Sequence, residues 1–177
     1  MKDMMYMLMA DHRTLIVFLH VISAVVWVGG MISLRFAAHH SFMELEAPER
    51  LTRVAHALKR LFTIVTPFVI ILIVTAVIMA VGLGFRAAAI DVDGTVIDEA
   101  AYGIYNLVHV KEVIWMVMSA NLGVMIYLRS KAEKAIHAQE FPLAKMKLGF
   151  IGKYLVPLNI VLGLIAIFLG VTLRNAY

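Results

Sequence analysis

LFTIVTPFVIILIVTAVIMAVGLGF, residues 61–85, runs for 25 positions without a charged side chain, between Lys59-Arg60 on one side and Arg86 on the other. A helix rises 1.5 Å per residue, so this run reaches about 38 Å, enough to cross the roughly 30 Å of hydrocarbon in a bilayer. Three further runs have similar length: residues 15–34, 104–128 and 154–173. Arg13 and Arg35 bracket the first, Arg129 and Lys131 close the third, and Lys153 and Arg174 bracket the fourth.

The rest of the composition agrees with a lipid solvent. The 177 residues are 62% hydrophobic and 16% charged, below the quarter usual in soluble domains, with a mean hydropathy of +0.88. The expected architecture is an all-α, integral membrane four-helix bundle forming one domain over residues 1–177. There is no cysteine, which removes disulfides, thiolate metal sites and cysteine nucleophiles. The first run is longer than the 7–15 apolar residues of a signal peptide and contains His20 and Trp27, so it is expected to be a retained helix.

Lys and Arg counts give an orientation. Arg35, Arg50, Arg53, Lys59 and Arg60 lie between runs 1 and 2; Arg129, Lys131, Lys134, Lys145, Lys147 and Lys153 lie between runs 3 and 4. The other side carries Lys2, Arg13, Arg86, Arg174 and an acidic connection, IDVDGTVIDEA. Both termini are therefore expected outside the cytoplasm. The pI of about 9.4 follows from this asymmetry, and no aromatic-interleaved basic patch points to nucleic acid.

Before run 2, APERLTRVAHALKRLF begins at Pro48, a favourable first helical residue, and alternates basic and apolar positions like an interfacial helix. Pro67 and Pro157 are expected to kink or loosen their helices, and Gly29, Ser33 and Ala37 to let a neighbouring helix approach.

Two intramembrane histidines stand out. His20 and His109 each lie five residues inside a run, about 8 Å below the same edge. A heme iron takes axial nitrogens from opposite sides, so the pair is expected to be two ligands, or one ligand and one polar neighbour. The helical face of His20 carries Ser23, Ala24, Trp27 and Met31, and that of His109 carries Glu112, Val113, Met116 and Ala120. Small residues would make room for a macrocycle, Trp27 and Met116 would supply contact, and Glu112 would orient an imidazole or accept a proton. Ordinary interhelical hydrogen bonding and packing account for the same residues without a cofactor.

Lys111 leaves its helix about 200° from His109, so it is either a lipid-facing anchor or a cation aimed at a second cleft or at the edge of an anionic cofactor. His39, His40, His56 and His137 sit among charges and read as solvated, and His12 lies at the outer edge beside Asp11. Five of the first nine residues are methionine, which suits either a soft Cu(I) site or a membrane-surface contact.

LHVISAVVWVGGMISLRFAAHH resembles the first helix of the HemJ-type protoporphyrinogen oxidases, with the family's His, Trp and Arg-aromatic at His20, Trp27 and Arg35-Phe36. LKRLFTIVTPFVIILIVTAVIM resembles their second helix and LVHVKEVIW their His-x-Lys third helix. The resemblance implies a protein of the bacterial inner membrane that binds heme b through its histidines, oxidises protoporphyrinogen IX and passes electrons to quinone. Lys111 and Arg35 would then meet tetrapyrrole carboxylates, and Lys111 and Glu112 would be the catalytic candidates. Leu34 stands where the family has proline, and Glu112 where an apolar residue is usual. Those departures keep two relatives in view: the CopD-like membrane proteins associated with copper, and a b-type electron-transfer cytochrome without enzymatic activity. Membrane lipid is a partner in every case, and a homo-oligomer is left open.

Overall fold

The computed structural model describes residues 2–175. Among them, four helices are long and apolar enough to cross a membrane: Lys2–Met43, Ala47–Ala89, Glu99–His137 and Phe141–Asn175. The protein is an all-α, multi-pass membrane bundle. Consecutive helices run antiparallel. The first packs on the second, the second on the third, the third on the fourth, and the fourth returns to the first, closing the ring.

Local chemistry sets the ends. Pro48 falls in the first turn of the second long helix, which continues without a break from Ala47 to Gly82. The basic segment expected before run 2 thus runs directly into it, as one rod. Gly84 at φ +70° closes that helix, a backbone conformation that costs glycine nothing. The acidic connection then makes a small turn with an Ile90–Val96 bridge. There the backbone N–H and the hydroxyl of Thr95 donate to Asp93 and hold its carboxyl below the usual range. Asp98 caps the third helix, accepting from the N–H groups of Ala100 and Ala101 at 2.8 and 3.0 Å.

The two prolines behave differently. Pro67 lies inside the second helix, which continues through it although the Thr63 carbonyl loses the N–H it would otherwise accept from. Pro157 follows a π-helical turn, Ile151–Leu155, that widens the backbone just ahead of it. A proline cannot donate to the carbonyl four residues back and crowds it, and a π turn is one way to make room. The first helix has a second π turn, Ser33–Ala38, and a bend at His12, where φ −128° and ψ 23° leave the helical region.

The third helix has 39 residues, about 58 Å at 1.5 Å each, roughly twice a hydrocarbon core. The bundle therefore continues past the membrane at its basic end, where small buried residues such as Ala55, Ala132, Ala135 and Ala144 let the helices close up. Arg129 is buried there and lies 3.1 Å from Glu133, whose other oxygen is 3.7 Å from Lys59 of the second helix. One core cluster runs through the middle, with Trp27, Met31, Val65, Met125, Ile151 and Val156 almost fully enclosed.

Close approaches fall at glycines other than the expected stripe. A Cβ on Gly29 would meet nothing within 4 Å, and Ser33 and Ala37 are exposed, so that stripe has no helix against it within the chain. The contacts are made instead by Gly30, where a Cβ would lie 2.7 Å from Leu61, and by Gly163, where it would lie 2.5 Å from Val28 and 3.3 Å from Met118. The phase of the first helix explains the shift. Trp27, Val28 and Met31 face inward, which brings Gly30 towards the second helix and leaves Gly29 open.

Between the third and fourth helices, Asn121 donates to Asn159 Oδ1 at 2.7 Å and to the Leu155 carbonyl at 2.9 Å, and Asn159 donates back to the Met118 carbonyl at 3.3 Å. Both are buried. Interhelical polar contacts in membranes contribute about 0.6 to 2 kcal/mol each. Asn121→Leu is expected to lower the unfolding free energy in detergent by about 1–3 kcal/mol, because it strands Oδ1 of Asn159 and the Leu155 carbonyl. Asn121→Leu with Asn159→Leu should recover part of the loss, which a double-mutant cycle measures.

Candidate functional site

At the acidic-loop end the apolar core gives way to a polar layer to which all four helices contribute. The first helix supplies His20 and the second Thr75, whose hydroxyl lies 3.0 Å from His20 Nδ1. Thr75 is buried, and its oxygen is 2.7 Å from the Ile71 carbonyl and 3.0 Å from that of Leu72. These distances fit one neutral tautomer of the histidine. The single hydroxyl proton of Thr75 goes to its own helix, so its oxygen accepts, and Nδ1 of His20 donates. In a neutral imidazole that leaves Nε2 as the lone-pair nitrogen, the state in which histidine binds a metal.

The third helix supplies Lys111, half-buried and within electrostatic reach of His20. The fourth supplies Gly170, where a Cβ would stand 3.2 Å from Lys111 Nζ. A glycine there gives the ammonium its space. No carboxylate lies within ion-pair distance of Lys111 among the described residues. The layer therefore presents an imidazole held through Nδ1 and a lysine that no carboxylate neutralises among the described residues.

His109 is not part of this layer. Its side chain is 49% exposed and faces out of the bundle, with Nδ1 2.8 Å from Glu112 Oε2 and its ring edge-on to Tyr105 at 4.4 Å. Met116, on the same face, is 52% exposed. The expectation that His20 and His109 line one layer from two sides is thus corrected. Depth was matched, but rotation was not. Lys111 and His109 leave the helix about 200° apart, and the inward phase set by Ile114, Met118, Leu122 and Met125 selects Lys111. The lipid-anchor reading of Lys111 falls for the same reason. Glu112, expected as the proton acceptor of the site, is engaged by His109 on the outer face.

Two expected contacts lie elsewhere. Trp27 is buried two turns below His20 in the core cluster, and its indole N–H has no partner among the described residues. Arg35 sits on the π turn at the basic end, fifteen residues from His20, so about 22 Å along the helix. It cannot share a ligand with Lys111. No group of three or more His, Asp or Glu that could hold a metal occurs among the described residues.

Thr75, Gly170, Asn121 and Asn159 were not singled out from the sequence. The asparagines carried a signal, as lone amides inside apolar runs of adjacent helices. Thr75 and Gly170 carried none, because threonine and glycine are common in membrane helices. In comparisons with protein-family models, curated proteins and solved structures, the chain matched none.

Proposed function

We propose that the protein is a heme b-binding redox protein of the bacterial inner membrane, similar to the HemJ-type oxidases, that oxidises protoporphyrinogen IX and delivers the electrons to quinone. The observation that carries this reading is the Thr75–His20 pair, which ties one imidazole nitrogen to the second helix at a level of the bundle where Lys111 has no carboxylate partner among the described residues. The donor set fits a heme iron through His20. It does not fit a clamp by His20 and His109, because His109 faces out of the bundle.

Each residue has a role in this reading. His20 would hold the iron, Thr75 would orient its ring, and Lys111, seated in the space that Gly170 leaves, would meet a substrate carboxylate. When bound, heme supplies the one-electron steps between substrate and acceptor. Both termini lie on the non-cytoplasmic side, as the eleven basic residues at the opposite end support.

The purified protein is expected to carry heme with a b-type reduced spectrum. It should also complement a strain lacking protoporphyrinogen oxidase. Lys111→Met keeps the length of the side chain and removes its charge, so it should retain the heme spectrum and lose complementation. A parent that holds heme and never complements is a b-type electron-transfer protein, which defeats the oxidase assignment. A colourless parent that binds copper defeats the heme assignment and leaves the CopD-like reading.

A further inference from the structure

The outer face of the third helix carries an ionisable pair where a membrane protein should present only apolar surface. His109 and Glu112 are 49% and 46% exposed, in the apolar run and about two turns from its start, on a face that continues through Met116, Ala120, Gly123 and Tyr127. Among the described residues no other helix covers it. Charged groups exposed to hydrocarbon are costly, by about 2.5 to 3.5 kcal/mol each at mid-membrane on insertion scales and less towards the edge. The pair satisfies itself only in part. Nδ1 of His109 and one oxygen of Glu112 meet at 2.8 Å, while Nε2 and the second oxygen have no partner among the described residues.

The geometry points to a second copy of this chain as the cover. Two copies inserted the same way are related by a two-fold axis along the membrane normal, which brings equal depths of the same helix together. His109 of each copy then lies one turn from Glu112 of the other, and with the imidazole carrying both protons its Nε2–H donates across the axis to the free carboxylate oxygen. The face is self-complementary because it holds an acid and a base one turn apart. The spacing of residues 109, 112, 116, 120, 123 and 127, in steps of three and four, is that of a parallel helix seam. Ala120 and Gly123 supply the small residues that let two membrane helices approach, and a Cβ on Gly123 would meet nothing within 4 Å in a single copy. This inference does not rest on the heme reading and concerns the opposite face of the helix.

The chain has no cysteine, so an introduced one reports without background. In native membranes under mild oxidation, Met116→Cys and Gly123→Cys are expected to give a disulfide-linked dimer. Phe168→Cys, 71% exposed on the fourth helix, should not. Adding His109→Leu and Glu112→Leu to Met116→Cys should lower the cross-linking yield about tenfold, the fold-change of one or two interhelical hydrogen bonds. All these positions face outward, so the fold is retained. Cross-linking of Met116→Cys no stronger than that of Phe168→Cys would overturn the inference. So would a cross-link to a different protein, or a yield unchanged by the double leucine substitution.

Discussion

His20→Ala is expected to abolish heme b binding, whereas His109→Ala is expected to leave the reduced spectrum of the bound heme in place. The difference follows from where the two rings lie. His20 is enclosed by the bundle and held at Nδ1 by a hydroxyl whose own proton is committed to its helix. His109 is tied to Glu112 on the outside and shares no cleft with His20. Thr75→Val keeps the volume and removes the acceptor. It should weaken heme affinity about 10- to 100-fold, the usual effect of losing the partner of a liganding histidine. Heme titration of the apoprotein, followed at the absorption maximum, measures all three variants. Heme lost from His109→Ala and kept by His20→Ala would reverse the assignment.

The second large effect is on stability. Gly163→Ala places a methyl group 2.5 Å from a Val28 methyl, in a contact between the fourth and first helices that has no free volume. Val28 is β-branched and only 5% exposed, so it cannot swing aside. Overpacking of this kind costs about 1–3 kcal/mol. The same change at Gly29, where a Cβ meets nothing, should be neutral or stabilise by up to about 1 kcal/mol through helix propensity. Adding Val28→Ala to Gly163→Ala should restore much of the loss, and unfolding in detergent with a denaturing surfactant compares the three. Equal stability of Gly163→Ala and Gly29→Ala would mean that the first and fourth helices do not pack as described.

The outward face of His109 and Glu112 and the inward face of Lys111 lie on opposite sides of one helix. In LVHVKEVIW, His109 and Lys111 are two residues apart and serve different environments. A change at His109 is expected to act on assembly, and a change at Lys111 on the interior. Separating the two readouts, cross-linking in one case and spectrum with complementation in the other, keeps their effects apart.

The sequence by itself determined the fold class and the run of four membrane helices, because length and unbroken apolarity are properties of a segment that need no neighbour to express. It also determined that His20 and Lys111 are out of place in hydrocarbon, and that the segment after Pro48 continues into the second helix. It did not determine which side of the third helix faces in. That helix is apolar nearly all round, so hydrophobic periodicity carries little phase information, and His109 and Lys111 offered competing polar anchors. Only packing against the second and fourth helices chose Lys111. The same holds for Gly30 and Gly163 over Gly29, since a glycine's value as a contact depends on the side chain opposite it, here Leu61 or Val28. Thr75 became part of the site through tertiary structure alone. Its hydroxyl is ordinary in the sequence and gains meaning only because a histidine 55 residues earlier lies 3.0 Å away.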